Sequence, residues 1–164
     1  MIPDRFRDVR GALAAALLCL VAASASPRDA EAQDSKAGVV EPLVITTRTG
    51  PHRFEVEVMR TDADRSRGLM FRRSMAPEHG MLFDFAAVAP VAMWMKNTYL
   101  PLDMVFIRAN GTIVRVAADT EPLSTKVIPS GEPVLSVLEL NAGTAARLGI
   151  RSGDTVEHPL FQQR

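Results

Sequence analysis

The sequence predicts a mainly β domain, a small antiparallel barrel or sandwich carrying two short helices. Three observations point there. Short alternating or apolar runs recur along the chain, separated by turn residues. Asn110-Gly111 between two such runs is the strongest short hairpin signal. Only two stretches, near residues 62–67 and 142–148, carry helix start and stop signals. A two-layer α+β arrangement is the alternative.

The first 32 residues read as a secretory signal. Arg5, Arg7 and Arg10 precede an apolar run from Gly11 to Ala23, which is followed by small and polar residues. The run is shorter than the roughly 20 apolar residues that span a bilayer. Two sites satisfy the small-x-small rule, after Ala25 and after Ala32, and the second is preferred because Pro27 and the charges after it resemble a spacer. Cys19, the single cysteine, lies inside the run with Leu18 before it, an unsuitable setting for acylation. The mature chain therefore has no thiol, which excludes disulfides, thiolate metal sites and cysteine nucleophiles. The predicted location is periplasmic or secreted, with no membrane attachment after cleavage.

The full chain has 19 basic and 19 acidic residues. Cleavage after Ala32 removes equal numbers of each, so no net field remains to attract nucleic acid. Residues 33–42 read as a flexible lead-in, and residues 43–164 as one domain without repeats.

Leu43 to Arg48 and Arg53 to Met59 form a predicted hairpin through Thr49-Gly50-Pro51, the second strand alternating Phe54, Val56 and Val58 with charged residues. Thr61-x-x-Asp64 opens a helix from Asp62 to Arg67, and Gly68 stops it. Gly80 to Phe85 and Val91 to Lys96 read as two strands. Leu102 to Arg108 and Thr112 to Ala117 flank Asn110-Gly111 as a two-residue hairpin. Val134 to Leu140 is a buried-type strand. Asn141 is placed to cap a helix from Ala142 to Leu148, which ends at Gly149. Gly153-Asp154 turns the chain into a last strand, Thr155 to Glu157.

Four stretches together resemble the family known as domain of unknown function 192. They are Arg67-Gly68-Leu69-Met70-Phe71-Arg72; Gly80-Met81-Leu82-Phe83; Trp94-Met95-Lys96-Asn97-Thr98 with Pro101-Leu102-Asp103; and Val137-Leu138-Glu139-Leu140 with Gly143, Leu148-Gly149-Ile150 and Gly153-Asp154. The resemblance covers Val44 to Val156 in the expected order. Met93 departs from the family's usual aromatic and Asn141 from its common proline, both packing positions. The resemblance implies a small, often exported, β-rich domain without an established activity, cofactor or substrate.

Trp94 to Asp103 is the segment richest in polar chemistry. In a strand, Trp94 and Lys96 share one face, and Pro101 turns Asp103 back beside Lys96, Asn97 and Thr98. An ammonium, an amide, a hydroxyl and a carboxylate beside an indole make a pocket for a small polar ligand. The plainer reading has Asn97 and Thr98 bonding their turn and Lys96 pairing with Asp103. Arg67 lies among Arg65, Arg72 and Arg73; its fork is suited either to locking the helix to the sheet or to reaching that pocket.

Of the eight methionines all but Met1 fall between Met59 and Met104, and Met93-x-Met95 raises cuprous copper as a ligand. Core filling is the better account. His52, His79 and His158 lack metal-ligand spacing, so no metal site and no cofactor is expected. No phosphate loop or nucleophile elbow is present. The leading functional expectation is a noncatalytic binding module for a small polar ligand or an envelope partner. A hydrolase or lyase using Lys96 and Asp103 is one alternative, and an assembly factor pairing through a sheet edge is another.

Overall fold

The computed structural model describes residues 40–162. The expected export signal, Cys19 and residues 33–39 of the lead-in lie outside the described residues, while residues 40–42, also expected in the lead-in, are strand. Seven strands and three short helices follow in the order β1 (Val40–Thr47), β2 (Gly50–Met59), α1 (Asp62–Arg67), β3 (His79–Met93), β4 (Leu102–Ile107), β5 (Ile113–Thr120), β6 (Ile128–Asn141), α2 (Thr144–Leu148), β7 (Thr155–Glu157) and α3 (Pro159–Gln162). The strands form one sheet in the order β5-β4-β6-β3-β2-β1-β7. It is curled into a half-barrel, and an isolated bridge between Thr112 and Thr155 brings its two outermost strands together.

The mainly β expectation is met, but the sheet is mixed. β2 and β3 run parallel, with Val58 opposite Leu82, because the link between them carries α1 and crosses over instead of turning back. All other neighbours are antiparallel. The two strands expected between Gly80 and Lys96 are one long strand, β3, whose register slips against β6 between Asp84 and Ala89 and again between Pro90 and Ala92. β3 ends at Met93, so Trp94 to Lys96 is not strand.

Burial explains the arrangement. In β2, Phe54, Val56 and Val58 are buried while Arg53 and Glu55 are exposed, the period-2 pattern of a strand with one face covered. Every residue of β4 is buried, since both its faces are covered. Two cores result. One gathers Leu43, Ile45, Phe54, Val56, Val105 and Leu138. The other, on the opposite face, gathers Leu69, Met81, Phe83, Met95, Met104 and Phe106. Leu69 just after α1 and Met95 after β3 thus cover the second face.

The caps are partly as expected. Thr61 Oγ1 accepts the Asp64 amide at 3.1 Å, and the Gly68 amide closes α1 on Asp64 O at 2.8 Å. Asn141 does not cap α2. Its amide donates to Met75 O at 3.0 Å and Ala76 O at 3.1 Å, while Gly143 takes the N-cap position. The third helix, α3, starts on Pro159, a residue suited to a first helical turn, and the Leu160 amide donates to His158 Nδ1 at 3.1 Å. At Asn110-Gly111 only the glycine has positive φ, at 81°. The turn is a three-residue loop in which Gly111 N donates to Arg108 O at 3.0 Å and Asn110 Oδ1 accepts from Thr112 N at 3.0 Å.

Candidate functional site

Two segments lie over the second core and leave an opening between them. One is the end of α1 running through Gly68, Leu69 and Met70; the other is the turn from Trp94 to Thr98. Arg65 fixes the first segment. Its guanidinium donates to Arg60 O and to Asp84 O, both at 2.6 Å, and pairs with Asp62. The helix-to-sheet lock weighed for Arg67 is thus made by Arg65. Asn97 fastens the second segment: at φ 57° its carbonyl accepts the Phe71 amide at 2.9 Å, and its side-chain amide reaches Met70 Sδ at 3.8 Å. Thr98 is buried, with its amide on Met95 O at 3.0 Å and its hydroxyl on Lys96 O at 3.3 Å.

The opening is a depression of about 300 Å³ whose lining includes Arg67, Phe83, Trp94, Lys96, Thr98 and Glu139. Trp94 is 54% exposed and offers its indole as a wall. Arg67 and Lys96 are exposed and form no ion pair with any described residue. Four of the six predicted site residues therefore meet here, namely Arg67, Trp94, Lys96 and Thr98. Asn97 holds the turn and does not line the depression.

Asp103 is separated from them, against expectation. It is fully buried on β4, where its Oδ1 accepts the Asp119 amide at 2.9 Å and its Oδ2 the Ala145 amide at 2.8 Å. The register gives the reason. Asp103 lies opposite Leu140, on the first core's side, whereas Met104 and its partner Glu139 point to the second. No Lys96–Asp103 ion pair exists, and an acid–base pair built from them has no geometric basis.

Glu139 was missed by the sequence reading. It stands near the end of β6, is 4% exposed, and its side chain makes no hydrogen bond or ion pair with any described residue. Burial pushes its pKa up to about 8, so at neutral pH it holds its proton. A signal existed: an acidic residue inside the apolar run Val137-Leu138-Glu139-Leu140 breaks the composition of a strand buried on both faces.

This burial has a consequence for stability. The folded state binds the Glu139 proton more tightly than the unfolded chain, so between the ordinary value of 4.5 and about 8 the folded protein carries the extra proton. Its stabilising effect is complete at low pH and is lost as pH rises to about 8. Glu139→Gln, which never ionises, should therefore gain stability relative to wild type as pH rises from 6 to 9, by ~2 kcal/mol. The full shift is not recovered because only the part of the window between 4.5 and about 8 that lies above pH 6 contributes, and the burial cost of the amide is the same at both pH values. Urea unfolding of both proteins at the two pH values measures it, and parallel pH profiles would refute it.

The paired methionines diverge. Met93 lines this depression, while buried Met95 accepts the Thr120 hydroxyl on its sulfur at 3.2 Å. Among the described residues no group of three or more His, Cys, Asp or Glu is placed to hold a metal ion. No helix among them is long and apolar enough to cross a membrane.

Comparison with known proteins adds the family. Residues 44–158 match the family DUF192, described as Uncharacterized ACR, COG1430. No curated protein matches the chain. A solved structure from Sinorhizobium meliloti 1021, described as a candidate transcription regulator, is 50% identical, covers 75% of this chain and 96% of its own, and superposes with a TM-score of 0.73. A protein of unknown function from Novosphingobium aromaticivorans DSM 12444 is 39% identical over 73% of this chain and 85% of its own, with a TM-score of 0.71. With its four motifs, its mixed β sheet and a match over most of its length, the chain belongs to the DUF192 family.

Proposed function

We propose that this domain is a noncatalytic binding module for a small polar ligand, held between α1 and the Trp94–Thr98 turn, and that it works outside the cytoplasm. The observation that carries the reading is the depression itself, where the exposed indole of Trp94 stands beside Arg67 and Lys96, two cations with no ionic partner among the described residues. The carboxyl of Glu139 has no side-chain bond to the described residues and its oxygens are not sealed off, so it can take a partner from the depression. The volume of about 300 Å³ lies at the lower end of small-molecule sites. The N-terminal residues, with their basic, apolar and small-residue parts, support the extracytoplasmic location. Catalysis by Lys96 and Asp103 has lost its second member to the opposite face.

Native mass spectrometry of the protein mixed with a bacterial small-molecule extract tests this. The expected result is an adduct of small-molecule mass, released chemically unchanged and lost in the Trp94→Ala/Lys96→Ala double variant. No adduct, an adduct indifferent to the double variant, or a ligand released in altered form would each overturn the reading.

A further inference from the structure

The depression's lining is chemically lopsided. Arg65, Arg67 and Lys96 line it against a single acid besides Glu139, namely Asp62, which is already paired with Arg65. Arg67 and Lys96 have no ionic partner among the described residues. Glu139 brings a carboxyl that no protein group satisfies. Between these polar groups lie apolar surfaces: the indole of Trp94, Leu69, Met93, and the stacked rings of Phe83 and Phe85, whose centroids are 6.5 Å apart.

From this arrangement we infer that the ligand is an organic acid anion with an apolar or aromatic flank, its carboxylate held by Arg67 and Lys96 and hydrogen-bonded by Glu139. The inference rests on the binding-module reading and names the class of ligand for that site. Each part answers a requirement of such a molecule. An anionic head needs cations that are not already committed, and the lining supplies two. A carboxylate oxygen is an acceptor, so a neutral carboxyl that donates O–H to it is complementary, whereas an ionised one would repel it. The flank needs area to cover, which the indole and the phenyl rings provide.

A cationic ligand fits poorly. It would have to approach past Arg67 and Lys96 and would find only Glu139 to pair with, at the cost of ionising a group buried in a strand. An inorganic anion alone would leave the aromatic wall unused. The charged groups that share the depression with Glu139 are Asp62 and Arg65 in α1, Arg67 at its end, and Lys96 on the turn. Of the strand residues opposite it, Met81 on β3 and Met104 on β4 carry no charge.

Trp94, the single tryptophan, provides the readout. Three probes of matched shape, 3-phenylpropionate, 3-phenylpropanol and 3-phenylpropylamine, are titrated against the full chain while Trp94 emission is followed. The acid should bind saturably and at least tenfold more tightly than either the alcohol or the amine. Arg67→Ala and Lys96→Ala should each weaken the acid several-fold and leave the alcohol unchanged. Binding of the acid should fall as pH rises through about 8, and Glu139→Gln, whose amide still donates, should bind without that step. Preference for the amine or the alcohol would overturn the anion and leave the binding site standing. If none of the three binds, the flanked-acid class is overturned, while the extract experiment decides separately whether the depression binds anything. Acid binding that Arg67→Ala and Lys96→Ala leave unchanged would also overturn the assignment.

Discussion

Gly111→Val is expected to unfold most of the domain's stability, by roughly 3 kcal/mol or more. Two costs combine. Gly111 sits at φ 81°, in the left-handed region where a β-branched residue is strained. A Cβ added there would also lie 2.4 Å from Val156 O, inside any real contact, and that oxygen belongs to backbone which cannot swing away. The same backbone donates the Val156 amide to Gly111 O at 2.8 Å, so relieving the clash breaks a bond that holds β7. Gly131→Ala is the control. It shares a positive φ of 84° but has nothing within 4 Å, and it should cost only ~1 kcal/mol. Urea midpoints of the two variants measure the difference, and near-equal midpoints would mean that the close approach to β7 is wrong.

Asp103→Ala should cost on the order of 3 to 5 kcal/mol, a large effect for a residue first considered as part of a surface ion pair. The substitution leaves the Asp119 and Ala145 amides without the carboxylate that accepts both. Bonds to a charged acceptor contribute more than neutral ones, and a buried amide that loses its partner bears the full desolvation cost. The Ala145 amide is in the first turn of α2, so loss of Asp103 also uncaps that helix. Asp103→Asn keeps one acceptor oxygen and should fall between wild type and alanine. Thermal unfolding of the three proteins tests the order; an alanine variant within 1 kcal/mol of wild type would return Asp103 to the surface.

These two cases show which parts of the molecule were readable in its sequence. Strand positions in β2, β4 and β6 follow from apolar spacing and were legible, as was α1 with its Thr61 and Gly68 caps. The hairpin partners β1–β2 and β4–β5 were legible as well, but the parallel pairing of β2 with β3 was not, because the two strands look alike whether the link between them turns back or crosses over. Arg67, Trp94, Lys96 and Thr98 were legible as a group because each lies beside a turn or helix end quoted for its polarity. Asp103 was misplaced by an alternation argument applied past Met93, where β3 ends and side chains no longer alternate. Glu139 was hidden for a different reason. Its meaning depends on which face of β6 opens to solvent, and that face is decided by α1 and the Trp94 turn, both distant in sequence.

The bridge between Thr112 and Thr155 sets an order of events in time. β1 pairs with β7, with Val44 opposite Glu157, and the start of β5 meets the same short strand. The Asp154 carbonyl accepts the Ile113 amide at 2.9 Å and the Ile113 carbonyl the Gly153 amide at 2.8 Å, so this seam is drawn from residues far apart along the chain. Contacts of such high sequence separation form late and make folding slow. A chain emerging from its N-terminus has its first strand waiting, one edge open, until nearly its last residues arrive. The sheet is therefore complete only once β7 is available, and until then the outer edge of β1 is left without its strand partner.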